Sequence, residues 1–202
     1  MSRLWAERVV ITLAPAADPA GDREPWRGAL EALKRKIPAL KNRTHVSIVL
    51  SNHFVRYALV PPQSGAASAD EELALARFQF VKIHGERAKA WEVRISGEVA
   101  CAIDTALLSG LKEIFSKHKG VRLVSIQPFL MAAYNQWRPR IPRDGAWLVL
   151  AEPERVCLAR LAAQGWASVH NGREADWEQA LERERRRASG ERLPSLVLRA
   201  QL

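Results

Sequence analysis

The chain has 202 residues, enough for one large domain or two small lobes. Its 48% hydrophobic and 26% charged residues exclude a disordered or fibrous chain. Lysine and arginine number 31 against 22 acidic residues, a formal charge of +9 that suits nucleic acid, an anionic membrane surface or an acidic protein without choosing among them.

In chain order, the β-branched run Val9–Leu13 predicts a strand that ends at Ala14-Pro15. A helix follows from Pro25, with Trp26, Leu30, Leu33 and Ile37 on one face and Pro38 as its stop. Val46–Leu50 and Phe54–Val60 predict two strands, and the short Ser51-Asn52-His53 link predicts that they pair as an antiparallel hairpin. Ser68 and Glu71 form a capping box, which predicts a helix from about Ala69 to Ile83 that buries Leu73, Ala76, Phe80 and Ile83. Trp91–Ile95 and Val99–Ile103 predict a second hairpin across Ser96-Gly97-Glu98, its second strand central. Asp104 caps a helix whose apolar positions are Leu107, Leu108, Leu111, Ile114 and Phe115. A strand over Val121–Ile126 then leads through Pro128 into a helix ending near Trp137.

The run Arg138–Gly145, with two prolines and three arginines, predicts a boundary that divides the chain into a first lobe (1–138), a linker (139–144) and a shorter second lobe (145–202). That second lobe reads as a meander over Ala146–Ala151, Arg155–Leu161 and Trp166–His170, a charged helix from Glu174 to Arg187 and a last strand over Leu196–Arg199. The fold class expected is mixed α/β. No stretch approaches the roughly 20 apolar residues of a membrane helix, and the first residues lack a signal-like apolar core, which predicts an intracellular chain.

No Walker-type loop, GxGxxG, HExxH, GxSxG or paired CxxC occurs, so the expectation is no catalytic residue and no bound cofactor. The five histidines lack metal-ligand spacing. Cys101 and Cys157 each sit inside an apolar run and read as buried core residues. Two basic clusters, Lys34-Arg35-Lys36 and Arg185-Arg186-Arg187, fall on the last turns of helices, where cations also favour the helix dipole. Of the seven tryptophans, six occupy apolar or element-end positions, and Trp5 near the N-terminus is the candidate partner anchor beside the two basic clusters.

From Val46 to Gly172 the order of the strands at Val46 and Phe54, the Ser68-capped acidic helix, Trp91-Glu92-Val93, the Val99–Asp104 strand-to-helix junction and Leu123–Pro128 resembles the actin-like assembly proteins of type IV pili and type II secretion, the PilM and GspL cytoplasmic-domain group. The resemblance implies an RNase H-like, actin-like fold with mixed sheets flanked by helices. It also implies a protein that docks a cytoplasmic segment of an inner-membrane partner, with homo-oligomers possible, in the cytoplasm or peripheral to the inner membrane. The sequence departs from the family's nucleotide-binding strands: Val9–Leu13 runs into Ala14-Pro15, and the second-lobe strand ends in Glu152-Pro153, where proline has no N–H to offer a phosphate and a carboxylate would repel it. The leading expectation is therefore a non-catalytic assembly scaffold. The rival readings are a basic nucleic-acid-binding or regulatory module and an ATP-binding protein with unrecognised loops.

Overall fold

The structure, a computed structural model, describes residues 7–15, 24–60, 68–188 and 193–199. Ten strands, five α-helices and three short 3-10 helices appear in these residues. In the first part of the chain the strands and α-helices are β1 (Glu7–Leu13), α1 (Arg27–Lys36), β2 (Thr44–Leu50), β3 (Val55–Leu59), α2 (Ala69–His84), β4 (Trp91–Ser96), β5 (Val99–Asp104) and α3 (Thr105–Ser116). They are followed by β6 (Val121–Pro128), α4 (Phe129–Trp137), β7 (Gly145–Glu152), β8 (Arg155–Ala162), β9 (Gly165–Gly172), α5 (Trp177–Arg187) and β10 (Ser195–Arg199).

The strands form three sheets. The first is parallel, in the order β1-β2-β6. Strict alternation places Val46, Ile48 and Leu50 of its central strand at 0% exposure against Leu30 and Leu33 of α1, Ile37 just beyond it, and Leu107, Leu111 and Phe115 of α3. Those two helices approach closely because residue 110 is glycine: a Cβ there would stand 2.6 Å from Leu30 Cδ1. The opposite face of the sheet carries Arg8, Val10 and Thr12 beside His45, Ser47 and Val49, all exposed or half-exposed, whereas parallel sheets are usually covered on both faces.

The second sheet is antiparallel, in the order β3-β5-β4. The expected hairpin between β4 and β5 is present, and β5 is central. The expected hairpin between β2 and β3 is not: β2 pairs in parallel with β1 and β6, while β3 pairs with β5 in the other sheet. A short link permits a reversal but does not compel one, and here both edges of β2 are already taken by parallel neighbours. The capping box opens α2 as expected, with Ser68 Oγ accepting from Glu71 N at 3.3 Å and Glu71 Oε2 accepting from Ser68 N at 2.8 Å. Ala76 and Phe80 pack on Val93, Ala100 and Ala102. Ile83, expected to be buried, is 67% exposed, because its place on the last turn carries it past the sheet.

The third sheet has the order β10-β7-β8-β9, with β10 parallel to β7 and the rest an antiparallel meander. It is covered on both faces. Ala180 and Leu181 of α5 pack on Trp147, Val149, Val156 and Leu158, and Leu130, Ala133 and Trp137 of α4 pack on Leu148, Leu150, Cys157 and Ala159. The helix preceding the Arg138–Gly145 run thus shares its core with the strands that follow. No helix among the described residues is long and apolar enough to cross a membrane.

Candidate functional site at the seam between the sheets

Residues Ser51-Asn52-His53 leave the first sheet at the C-terminal end of β2, and the β7–β8 turn, Glu152 to Arg155, meets them from the third sheet. Every backbone group of the link that the fold buries finds a partner. Ser51 N donates to Leu13 O at 2.9 Å and Phe54 N to Ser51 O at 3.0 Å. Asn52 N donates to Glu152 Oε2 at 2.9 Å, and His53 N donates to Ser51 Oγ at 3.1 Å. Asn171, on β9, completes the clasp: its Nδ2 donates to Asn52 O at 2.8 Å and to Val55 O at 2.9 Å, while its Oδ1 accepts from Arg155 Nη1 at 3.3 Å. His53 Nε2 lies 2.9 Å from the Pro153 carbonyl, so that nitrogen carries the proton. Tyr57 OH donates to Asn52 Oδ1 at 2.8 Å.

Burial sets the electrostatics. Glu152 is only 6% exposed, and desolvation raises its carboxyl above the ordinary value, opposed by hydrogen bonds from Ser51 and Asn52 and by the charge of Arg155. Desolvation lowers Arg56 to about 10, helped by Arg155 and Arg87, and lowers Arg155 and His53 as well. Arg56 Nη1 is spent on the carbonyls of His53 and Val55. The thiols nearby are inert at neutral pH: burial pushes Cys101 up to about 12 and raises Cys157 further. Both cysteines are free and buried, as their apolar surroundings predicted. Asp104 caps α3, its Oδ1 accepting from Ala106 N at 2.8 Å.

At the other end of the same contact a groove of about 460 Å³ opens between Leu59 and Glu98 on one side and Ala162, Gln164, Gly165 and Trp166 on the other. Glu98 Oε2 accepts from Trp166 N at 2.7 Å and closes its floor. Gly165, at φ +128°, is required there, since a Cβ would stand 2.4 Å from that same oxygen.

The residues singled out in the sequence lie elsewhere. Trp5 falls outside the described residues. Lys34 pairs with Glu31 at 2.6 Å, which raises the lysine, and Arg35 and Lys36 point outward from the end of α1 with no partner among the described residues. Arg185 binds Glu182 at 2.7 Å and the Ser195 hydroxyl at 2.8 Å, and Arg187 binds Glu184 at 2.6 Å. Of that cluster only Arg186 is without a partner among the described residues. The two clusters belong to helices of different sheets. Sequence reasoning weighed Glu152-Pro153 only as an obstacle to phosphate, and it passed over Asn52, Arg155 and Asn171. The partners of Asn52 lie 100 to 119 residues away along the chain, beyond any local pattern, and Arg155 meets Asn171 across 16 residues and two strands.

A parallel sheet, an inserted antiparallel sheet and a second mixed sheet, joined at a polar seam and flanked by helices, make up an actin-like fold. Solved structures with this architecture include a chain of the PilM–PilN type IV pilus biogenesis complex (TM-score 0.60, 13% identity, covering 94% of this chain and 70% of that one). They also include the cytoplasmic domain of EpsL, an inner membrane component of the type II secretion system of Vibrio cholerae (TM-score 0.55, 15% identity, 96% and 81%). A Bacteroides thetaiotaomicron protein of actin-like ATPase fold and unknown function is similar too (TM-score 0.56, 10% identity, 86% and 68%). At these identities the likeness is one of fold. It is the fold that the residues from Val46 to Gly172 resembled. No protein-family model matches the chain, and no curated protein matches it.

Proposed function

We propose that this chain is a non-catalytic scaffold of a pilus- or secretion-type assembly, which holds a cytoplasmic segment of an inner-membrane protein at the cytoplasmic face of that membrane. The observation that carries the reading is the seam, where protein groups take up most of the polar atoms. Where two sheets of an actin-like fold converge, Glu152 takes the Asn52 amide, Asn171 donates to two carbonyls, and Pro153 lends its own carbonyl to His53, while Asn52 Nδ2, Glu152 Oε1 and Arg155 Nε are buried without a hydrogen-bond partner among the described residues. A buried carboxylate at that point opposes an anionic ligand. The neighbours support the partner class, since one is solved as a complex of two pilus biogenesis proteins and another is a component of an inner-membrane secretion system. The groove beside Trp166, lined by apolar groups and closed by Glu98, suits an extended segment.

Thermal unfolding with Mg-ATP tests the reading. A bound ligand at 100 times its dissociation constant adds about 2.7 kcal/mol, a shift of several degrees for a chain of this size. The scaffold reading expects no shift and no phosphate release. ATP hydrolysis would overturn its non-catalytic part, and a saturable rise in Tm would favour the ATP-binding rival.

A further inference from the structure

α2 is an outer layer on its side of the molecule. Its inner face, with Ala76 and Phe80 at its centre, covers the second sheet. Its outer face is not the polar face such a helix normally presents. Glu71, Leu75, Phe78 and Lys82 succeed one another at spacings of four, three and four, which aligns them in one stripe on the side opposite Ala76 and Phe80. Phe78 is 64% exposed, Leu75 is half-buried at the flank where it also packs on the core beneath α2, and Glu71 and Lys82 are exposed at the two ends, Glu71 with its Oε2 on Ser68 N and its other oxygen open to a partner. The first turn is acidic, with Asp70, Glu71 and Glu72, and the last carries Lys82 and His84. Lys82 has no ion-pair partner among the described residues.

The order acid, apolar, apolar, base reads the same when a second helix is laid against it in the opposite direction. An antiparallel copy brings Glu71 opposite Lys82 and Leu75 opposite Phe78, and by symmetry does so twice; a parallel copy would set like charges together. We infer that the outer face of α2 is a self-association surface and that its occupant is the α2 of a second copy of this chain, related by a two-fold axis crossing the helix between Leu75 and Phe78. The inference does not depend on the scaffold reading. One helix per partner covers much less than the roughly 1,600 Å² of a standard interface, so the association is weak and is read at high concentration.

The test is sedimentation of the full chain between about 10 and about 500 µM, where a dissociation constant in that range gives a concentration-dependent dimer. Phe78→Asp is expected to raise the dissociation constant at least about tenfold. A Glu71→Lys chain, with lysine at both ends of the stripe, and a Lys82→Glu chain, with glutamate at both ends, are each expected to stay monomeric alone and to dimerise when mixed. Circular dichroism of each variant verifies that the helix content is kept. The inference is overturned by a wild-type chain that remains monomeric throughout the range, by a dimer indifferent to Phe78→Asp, or by folded charge-reversed chains that do not associate on mixing.

Discussion

Two short links between consecutive strands, Gly97-Glu98 after β4 and Ser51 to Phe54 after β2, do opposite things. Gly97-Glu98 turns β4 back onto β5 within one sheet, and the reversal itself rests on one residue: Gly97 takes φ +59°, with no atom within 4 Å of where a Cβ would stand. Ser51-Asn52-His53 carries the chain from one sheet into another and contains no left-handed residue. At its centre the Asn52 N–H and carbonyl are satisfied by side chains that arrive from the third sheet, Glu152 and Asn171. The comparison teaches that a turn can be written locally in one glycine, whereas a change of sheet must be underwritten by residues far along the chain.

Removing the distant support should hurt the sheet-changing link most. Asn171→Ala leaves the Asn52 carbonyl without its donor and removes one of two side-chain donors from the Val55 carbonyl, which keeps Arg56 Nη1, and an expected loss of about 2 kcal/mol should appear as a lower urea midpoint. Gly97→Ala strains only a local turn with open space around it, so about 1 kcal/mol is expected from the same measurement. The smallest effect is a slope. Because burial raises the folded Glu152 carboxyl above 4.5, the folded chain holds that proton more tightly than the unfolded one, and its contribution to stability falls as pH rises from 4.5 through the folded value. Glu152→Gln keeps an acceptor for Asn52 N and cannot ionise. Its stability relative to wild type should therefore increase across that window and level off above it; a difference independent of pH would place the cost in packing instead.

Most of the elements were legible because their signals are local. The capping box at Ser68, the cap at Asp104, the alternation of Trp91–Ile95 and the Gly165 turn each announce a boundary within a few residues. Helix α1 followed from four apolar residues on one face. The partner of β3 was not legible, since pairing depends on which strand edges are free and the link sequence does not record that. Ile83 satisfied the helical period but not the extent of the sheet beneath it. The seam was illegible for a related reason: Asn171 sits in a strand with no unusual neighbours, and its importance appears only when Asn52 and Val55 stand beside it. The basic clusters were visible as charge, yet three of the six cations are engaged by carboxylates one helical turn away, an arrangement the spacing Glu31–Lys34, Glu182–Arg185 and Glu184–Arg187 already contained.

Tyr57 stands where the second sheet touches the third, packed into the cores on both sides of the seam, with Cys101 opposite it on β5 and Cys157 across the contact on β8. The molecule thereby carries one native thiol in each of the two sheets that face each other, and no others. An alkylating reagent reaches either sulfur only when the packing around this seam opens, whether between the sheets or under α3 and α4, so the rate of labelling is a clock for that opening. A bound segment that clamps the groove would slow that clock without any probe having been introduced into the chain.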